Sequence, residues 1–191
     1  MNQSKAARRD GRPRILAISG SLRKASVNTA VLRAAIALAP PEVEIKLFQG
    51  LADIPAFDPD LDSNGSAPPA VLALREEMDA ADGFLMASPE YAHGVSGVLK
   101  NALDWLVSCP LAFYGKPVAL LNTSPRASIA WSSLKEIIRT MAGNVLEEAS
   151  LLIPLPNMTT TYEQIVGHRL LAEKIRRCTS LLRDSILALR T

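Results

Sequence analysis

The feature that most constrains the fold of this chain is a regular alternation of two kinds of segment. Five short apolar runs are typical of buried strands and span residues 15–18, 43–48, 83–87, 118–121 and 149–153. Elsewhere apolar residues recur at three- and four-residue steps, the periodicity of an amphipathic helix. Such patterns occupy residues 30–38, 95–106, 134–141 and 171–186. Strands that alternate with helices predict a parallel sheet covered on both faces.

We therefore expect an α/β fold with a doubly wound, five-stranded parallel sheet and helices on both faces. Strand order cannot be read from a sequence, and we adopt the flavodoxin-like order 2-1-3-4-5 by analogy. The length of 191 residues suits one domain, and an apolar fraction of 48% supplies a large core. We assign residues 14–191 to this single domain and residues 1–13 to a basic, disordered tail.

The charge distribution argues against a nucleic-acid-binding surface. The net charge is +2, and residues 1–14 hold five cations and one acid, which leaves −2 for the rest of the chain. A nearly neutral body lacks the basic stripe that phosphate-backbone binding requires. The apolar stretch that follows Arg8-Arg9 is too short for an export signal or a membrane span. We expect neither nucleic acid nor membrane as a partner.

The histidines and cysteines predict no metal site. There are two of each, and Cys109 and Cys178 form no C-x-x-C pair. A disulfide framework is not indicated either. Two free thiols suit a reducing cytoplasm, which is the location we expect.

The residues that follow the first predicted strand suit a phosphate group. Ligands of open α/β sheets bind beyond the carboxyl ends of the strands, where the winding direction switches. Here that point lies after Ile18 and after Ala87. The segment 19–29 brings hydroxyl, amide and cationic side chains to a helix start, whose N–H groups and dipole favour an anion. An ordinary serine-rich turn, with Ser26 as the N-cap of the helix, is the structural alternative.

Two nucleotide-binding motifs that the chain lacks narrow the class of ligand. The chain has no G-x-G-x-x-G, the cradle for a dinucleotide pyrophosphate, and no G-x-x-x-x-G-K-[ST], the loop for a nucleoside triphosphate with Mg²⁺. A hydroxyl-rich loop without metal ligands suits a monophosphate. FMN is the commonest such cofactor on this architecture.

The segment after the third predicted strand suits a flat ring. An isoalloxazine needs an aromatic face and main-chain polar groups along its pyrimidine edge. Tyr91 is a candidate for the face, and the backbone of residues 90–94 is a candidate for the edge. A role of Tyr91 as an exposed subunit-contact residue is an equal alternative. Trp105 and Trp131 lie within helical patterns and are interpreted as packing residues.

Residues 14–153 resemble the NADPH-dependent FMN reductase family, which includes quinone, chromate and azo-dye reductases. The resemblance rests on G-S-L-R-x-x-S-x-N at residues 20–28 and on P-E-Y followed by G-x-L-K-N-A-x-D-W at residues 89–105. Residues 53–60 are similar to the loop after the family's second strand. The resemblance implies an FMN phosphate held by Ser21, Arg23, Ser26, Asn28 and Thr29. It implies a flavin ring lined by Pro89, Glu90, Tyr91 and Ala92.

The chain departs from the family pattern at two places. The family usually has Asn after Pro-Glu-Tyr, where this chain has Ala92 and then His93. The loop after the fourth strand is usually glycine-rich, whereas residues 122–128 of this chain contain no glycine. From this loop we include Ser124 as a backbone contact. His93 is expected near the ring. Hydride transfer to flavin N5 requires no protein acid, so we assign no catalytic side chain.

The function implied is that of an FMN-dependent NAD(P)H oxidoreductase with ping-pong kinetics. Its acceptors would be quinones, free flavin or similar small molecules, including chromate or azo dyes, with NADPH or NADH as donor. Two alternatives stay open: a flavodoxin-type electron carrier, and a flavin-free regulatory protein. An open flavin face implies a homodimer or homotetramer. The irregular segment 50–69 is either a site-shaping loop, a subunit contact or a solvated excursion.

Overall fold

The computed structural model describes residues 11–63, 66–124, 126–155 and 159–190. Its principal strands and helices follow the predicted alternation. The strands are β1 (Arg14–Ser19), β2 (Glu44–Leu47), β3 (Gly83–Ala87), β4 (Glu90–Tyr91), β5 (Gly94–Val95), β6 (Pro117–Asn122), β7 (Asn144–Val145) and β8 (Leu151–Leu152). The α-helices are α1 (Val27–Leu38), α2 (Pro59–Ser63), α3 (Pro69–Ala80), α4 (Gly97–Asp104), α5 (Ser128–Thr140), α6 (Tyr162–Gly167) and α7 (Arg169–Ala188). A short 3-10 turn covers Gly50–Asp53.

The sheet confirms the flavodoxin-like order. Its strands run β2-β1-β3-β6-β7, with β8 also paired to β6, and all these pairs are parallel. The fifth position is split between β7, opposite the start of β6, and β8, opposite its end. The Ser150 hydroxyl bridges the gap by accepting the Leu120 N–H at 3.1 Å and donating to the Leu146 carbonyl at 2.7 Å.

Alternate residues of each strand supply two apolar layers. Ile15 and Ala17 of β1 face α1, α6 and α7, whereas Leu16 and Ile18 face α3, α4 and α5. The four residues are at most 3% exposed. Because both faces are covered, the strands read as continuous apolar runs rather than as alternating patterns.

The structure adds elements that the sequence analysis did not predict. Helix α3 begins at Pro69 and buries Val71, Leu74 and Met78 at three- and four-residue steps. Proline at the first helical position was the available signal. Within the strand predicted over 149–153, only the short β8 forms. A second short strand, β7, precedes the predicted range.

The predicted tail falls mostly outside the described residues. Within it, Gly11 and Pro13 contact the folded body. The Pro13 carbonyl accepts the Glu44 N–H at 2.9 Å, and the Gly11 carbonyl accepts a hydrogen bond from Arg190. Among the described helices none is both long and apolar enough to cross a bilayer.

The segment after β2 is anchored to its own chain. The Pro55 carbonyl accepts hydrogen bonds from Asn101 Nδ2 at 2.8 Å and from the indole N–H of Trp105 at 2.9 Å. Asn101 Oδ1 accepts the Phe57 N–H at 2.8 Å, and the Phe57 ring meets Trp105 edge-on. Trp105 is fully buried, as a packing residue should be. Two residues of the G-x-L-K-N-A-x-D-W motif thus hold residues 55–57 beside α4.

Candidate functional site

The segments after β1 and β3 are in direct contact where the two strands end. The Gly20 N–H donates to the Ala87 carbonyl at 2.7 Å. A Cβ at Gly20 would lie 2.8 Å from Ser88 Oγ and 2.9 Å from Ser96 Oγ, so a larger residue does not fit. Ser96 is 1% exposed, and its Oγ has no hydrogen-bond partner among the described residues. The contact brings the segments after β1 and β3 together at the switch point.

The segment after β1 ends at a helix start that suits an anion. Ser26 is the N-cap of α1, and its hydroxyl accepts the Thr29 N–H. The Thr29 hydroxyl lies 2.8 Å from Ser19 Oγ. The first turn of α1 contains no acidic side chain, and Arg23 and Lys24 are exposed beside it. Positive helix dipole, hydroxyl groups and cations therefore coincide.

A cleft of about 230 Å³ adjoins this helix start. Ser26 and Thr29 line it, as do Lys24, Arg33 and Thr161, which the sequence analysis did not assign to the site. Arg23, in contrast, does not line it. Only the fold could reveal Arg33 and Thr161. Arg33 lies further along α1, and Thr161 lies more than 100 residues later in the sequence.

The segment after β6 is joined to α1 through buried polar side chains. Thr123 Oγ1 donates to Asn28 Oδ1 at 3.2 Å, and both residues are less than 10% exposed. Asn122 accepts the Ser124 N–H and donates to the Ala127 carbonyl, which shapes the turn into α5. Asn28, predicted as a phosphate contact, thus connects two loops through its amide oxygen. Ser124 lies in the turn, half-buried.

The segment after β3 forms a tight hairpin, β4–β5, whose turn residues are Ala92 and His93. Both have positive φ, +48° and +61°, as a type I′ turn requires. This turn favours Asn and Gly, because the left-handed region costs other residues about 1–2 kcal/mol. At position 92, where the family usually has Asn, the backbone conformation is thus one that Asn adopts more readily than Ala. Tyr91, Ala92 and His93 are all exposed.

Glu90 connects this hairpin to α5. Its Oε2 accepts the Ala130 N–H at 2.8 Å in the first turn of α5, and its Oε1 lies 3.1 Å from His93 Nδ1. The Glu90 side chain is 11% exposed, and that of His93 is 76% exposed. The Ala130 N–H, with a smaller contribution from His93, lowers the pKa of Glu90. The carboxylate is thus ionised and fixed at neutral pH.

All the sequence-predicted site residues belong to three segments that meet at one edge of the sheet. They divide into a polar group at the start of α1, a group from Pro89 to His93 of which the last three residues are exposed, and Ser124 in the turn before α5. Among the described residues no three potential metal-ligating side chains cluster. The arrangement is that of a flavodoxin-like α/β protein, and its candidate site lies at the switch point between β1 and β3.

The chain belongs to the NADPH-dependent FMN reductase family, whose profile matches residues 13–155. It is 46% identical over 112 residues to an NAD(P)H-dependent FMN reductase of Pseudomonas aeruginosa, a match that covers 58% of this chain and 60% of that protein. It is 44% identical over 113 residues to an NADPH:quinone oxidoreductase of Arabidopsis thaliana, covering 58% and 57%. The chain therefore matches less than two thirds of either relative's length.

A solved structure shares nearly the whole fold. The flavoenzyme NAD(P)H:(acceptor) oxidoreductase FerB of Paracoccus denitrificans superposes with a TM-score of 0.73 at 25% identity, covering 92% of this chain and 98% of that one. The residues present here fit FMN. The α1 start offers hydroxyl groups and cations and has no acidic side chain in its first turn, and Glu163 is the one acid among the residues that line the neighbouring cleft.

Replacing Ala92 by Asn is expected to stabilise the protein, because Asn tolerates the left-handed region better than Ala. The free energy of unfolding should rise by about 0.5–1 kcal/mol. Urea denaturation of the unliganded protein measures it. Ala56→Asn, at an exposed position without positive φ, is the matched control and should give no gain. An unchanged midpoint for Ala92→Asn would show that the turn is not strained.

The Glu90 carboxylate is expected to make stability depend on pH. Its pKa is lower in the folded than in the unfolded state, so its contribution is complete above the unfolded value of about 4.3 and is lost as pH falls through the folded pKa. Wild type should exceed Glu90→Gln in unfolding free energy at pH 7, and the difference should shrink below about pH 4. A difference that is constant from pH 7 to about pH 3 would contradict this assignment.

Proposed function

We propose that the protein is an FMN-dependent NAD(P)H oxidoreductase that reduces quinones, free flavin or similar small acceptors. The observation that carries the proposal is the meeting of an anion-suited helix start and an exposed aromatic hairpin at the switch point of the sheet. Membership of the FMN reductase family supports it, as does the similarity to proteins named as FMN and quinone reductases. Chromate and azo dyes are further candidate acceptors.

The start of α1 would hold the terminal phosphate of FMN. Ser21, Ser26 and Thr29 present hydroxyl groups there, and Arg23 is free to fork across the phosphate oxygens. Asn28 would act by fixing the neighbouring loop through Thr123. Lys24 adds positive potential beside the start of α1, whereas the charge of Arg33 in the same cleft is partly offset by Glu163.

The hairpin and the segment after β6 would border the ring. Pro89, Glu90, Tyr91, Ala92 and His93 come from the hairpin, and Ser124 comes from the loop opposite. Bound FMN would supply the redox chemistry, taking a hydride from a reduced nicotinamide and passing it to an acceptor. The protein contributes orientation and exclusion of water. Donor and acceptor would bind in turn at one position beside Tyr91.

The test is an anaerobic titration followed by steady-state kinetics. NADPH or NADH should bleach the protein-bound flavin, and a soluble quinone should restore the colour. Double-reciprocal plots should give parallel lines, because both substrates use one site alternately. Bound flavin that neither nicotinamide bleaches would favour an electron carrier. A colourless protein that ignores added FMN would favour a regulatory role.

Arg23→Ala is expected to weaken FMN binding by about 1.5–3 kcal/mol, the scale of a hydrogen bond to a charged group. Quenching of flavin fluorescence measures the dissociation constant. The same titration should show FMN bound more tightly than FAD, since the loop suits one terminal phosphate. Arg177→Ala, on the exposed face of α7, is the charge-matched control. Unchanged affinity in Arg23→Ala would mean that Arg23 stays in solvent.

We also propose a homo-oligomer. An apolar patch lies between α3 and the segment after α4, where Leu72, Val107, Leu111 and Tyr114 are 47–68% exposed. It borders a cleft of about 600 Å³ that includes Cys109 and Pro110. Large apolar side chains exposed to this extent favour association, and a second copy would also shield an open flavin face.

Leu111→Glu is expected to shift the assembly towards monomer, because it would bury a charge in the contact. Sedimentation velocity at micromolar concentration measures the assembly state. Leu170→Glu, exposed on α7 and away from the patch, is the control and should leave the assembly unchanged. A wild-type protein that is only monomeric would contradict the proposal.

Residues 14–191 are proposed to form a single domain, with the more N-terminal residues as a basic tail. A cytoplasmic location is proposed from the two free cysteines. Burial raises the pKa of the Cys178 thiol to about 12, so this cysteine is inert at physiological pH.

A further inference from the structure

The turn of the β4–β5 hairpin carries the imidazole of His93, whose orientation is set by a hydrogen bond to Glu90. His93 occupies the second turn position with φ of +61°, directly after Ala92 at +48°. Two consecutive non-glycine residues with positive φ are uncommon, and strained backbone of this kind clusters at functional sites. The turn puts His93 at the free end of the hairpin, with 76% of its side chain exposed.

The orientation of the ring is set by Glu90. One carboxylate oxygen faces His93 Nδ1 at 3.1 Å, and the other is held by the Ala130 N–H at 2.8 Å. An ionised carboxylate only accepts hydrogen bonds, so Nδ1 must carry a proton. The Nε2 atom points away from Glu90, and no described residue forms a hydrogen bond with it. Nε2 therefore accepts a hydrogen bond in the neutral ring and donates one in the charged ring.

We propose that His93 is a catalytic residue that donates a proton from Nε2 to the oxygen of a carbonyl-type acceptor, and that Glu90 is its positioning residue. This inference rests on the proposed function. It revises the sequence-based expectation of no catalytic side chain, and only for the proton step. Hydride transfer itself still requires no protein acid.

The reaction balances with one proton from His93. A quinone becomes a hydroquinone by gaining a hydride and a proton. Under the proposed function, the hydride and its electron pair derive from the reduced nicotinamide. The second quinone oxygen takes the proton from Nε2 of His93. The N–H bond of the imidazolium breaks, an O–H bond forms, and solvent returns the proton to the exposed ring. Glu90 stays ionised throughout and keeps Nδ1 protonated.

The first test uses the protein without flavin. Nitrogen-15 spectra of the two histidines, assigned with His168→Gln, report which ring nitrogen carries the proton in the neutral form. His93 should be protonated at Nδ1 in wild type, and Glu90→Ala should return it to the mixture of a free imidazole. The Ala130 amide resonance shows whether α5 still begins correctly. Identical His93 spectra in both proteins, with α5 intact, would overturn the role of Glu90.

The second test separates proton transfer from electron transfer. The protein is loaded with FMN, reduced with NADPH and mixed anaerobically with benzoquinone or with ferricyanide, which accepts electrons without a proton. His93→Gln should slow reoxidation by benzoquinone about 100-fold or more, the lower range for general acid catalysis, and leave ferricyanide within about twofold. His168→Gln should slow neither. The proposal would be overturned if His93→Gln and wild type were reoxidised by benzoquinone at equal rates. It would also be overturned if His93→Gln slowed reoxidation equally with both acceptors.

The two tests keep the failure of this inference apart from failure of the proposed function. If NADPH does not bleach the bound flavin, the oxidoreductase assignment fails and the proton donor fails with it, whatever the spectra show. If bleaching is normal and His93→Gln reacts like wild type with benzoquinone, only the role of His93 fails.

Discussion

The hydrogen bond from the Gly20 N–H to the Ala87 carbonyl closes the β1–β3 pairing, and the geometry of the site depends on this closure. Beyond this point the chain after β1 turns to α1 on one face of the sheet, and the chain after β3 turns to α4 on the other. The divergence opens the crevice at which open α/β sheets bind ligands. It requires glycine at position 20, because a Cβ there would collide with Ser88 and Ser96.

Around this crevice the loops are held by a few polar side chains rather than by apolar packing. Asn28 and Thr123 join the start of α1 to the segment after β6, and Glu90 joins the hairpin to α5. Buried or half-buried polar contacts of this kind lose stability when one partner is removed, because the other is left unsatisfied. The same contacts leave Arg23 and Tyr91 exposed to a ligand. Stability and access are thus divided between different residues of the same loops.

Two motif residues anchor a neighbouring segment of the chain rather than line the candidate site. Asn101 and Trp105 belong to the segment that carries the family resemblance, and they hold the Pro55 backbone beside α4. The strongly patterned strands and helices could be predicted because their apolar periodicity is local. Helix α3 was missed because its apolar stripe has only three buried residues, although Pro69 marks its start. The split between β7 and β8 could not be predicted, since two-residue strands carry little periodic signal. The Ser150 hydroxyl bridges the split by accepting the N–H of Leu120 in β6, a contact that exists only once β6 lies beside it.

By itself the sequence determined the α/β class, the switch-point loops and the type of ligand they suit. Each of these follows from local order along the chain: apolar periodicity, a helix N-cap, and hydroxyl groups beside cations. Only the tertiary structure decided that Asn28 faces Thr123, that Arg33 reaches the cleft beside Ser26, and that Glu90 binds Ala130 and His93 at once. Those pairings join residues as many as 95 positions apart, and their partners are chosen by strand order and helix placement, which local patterns do not encode.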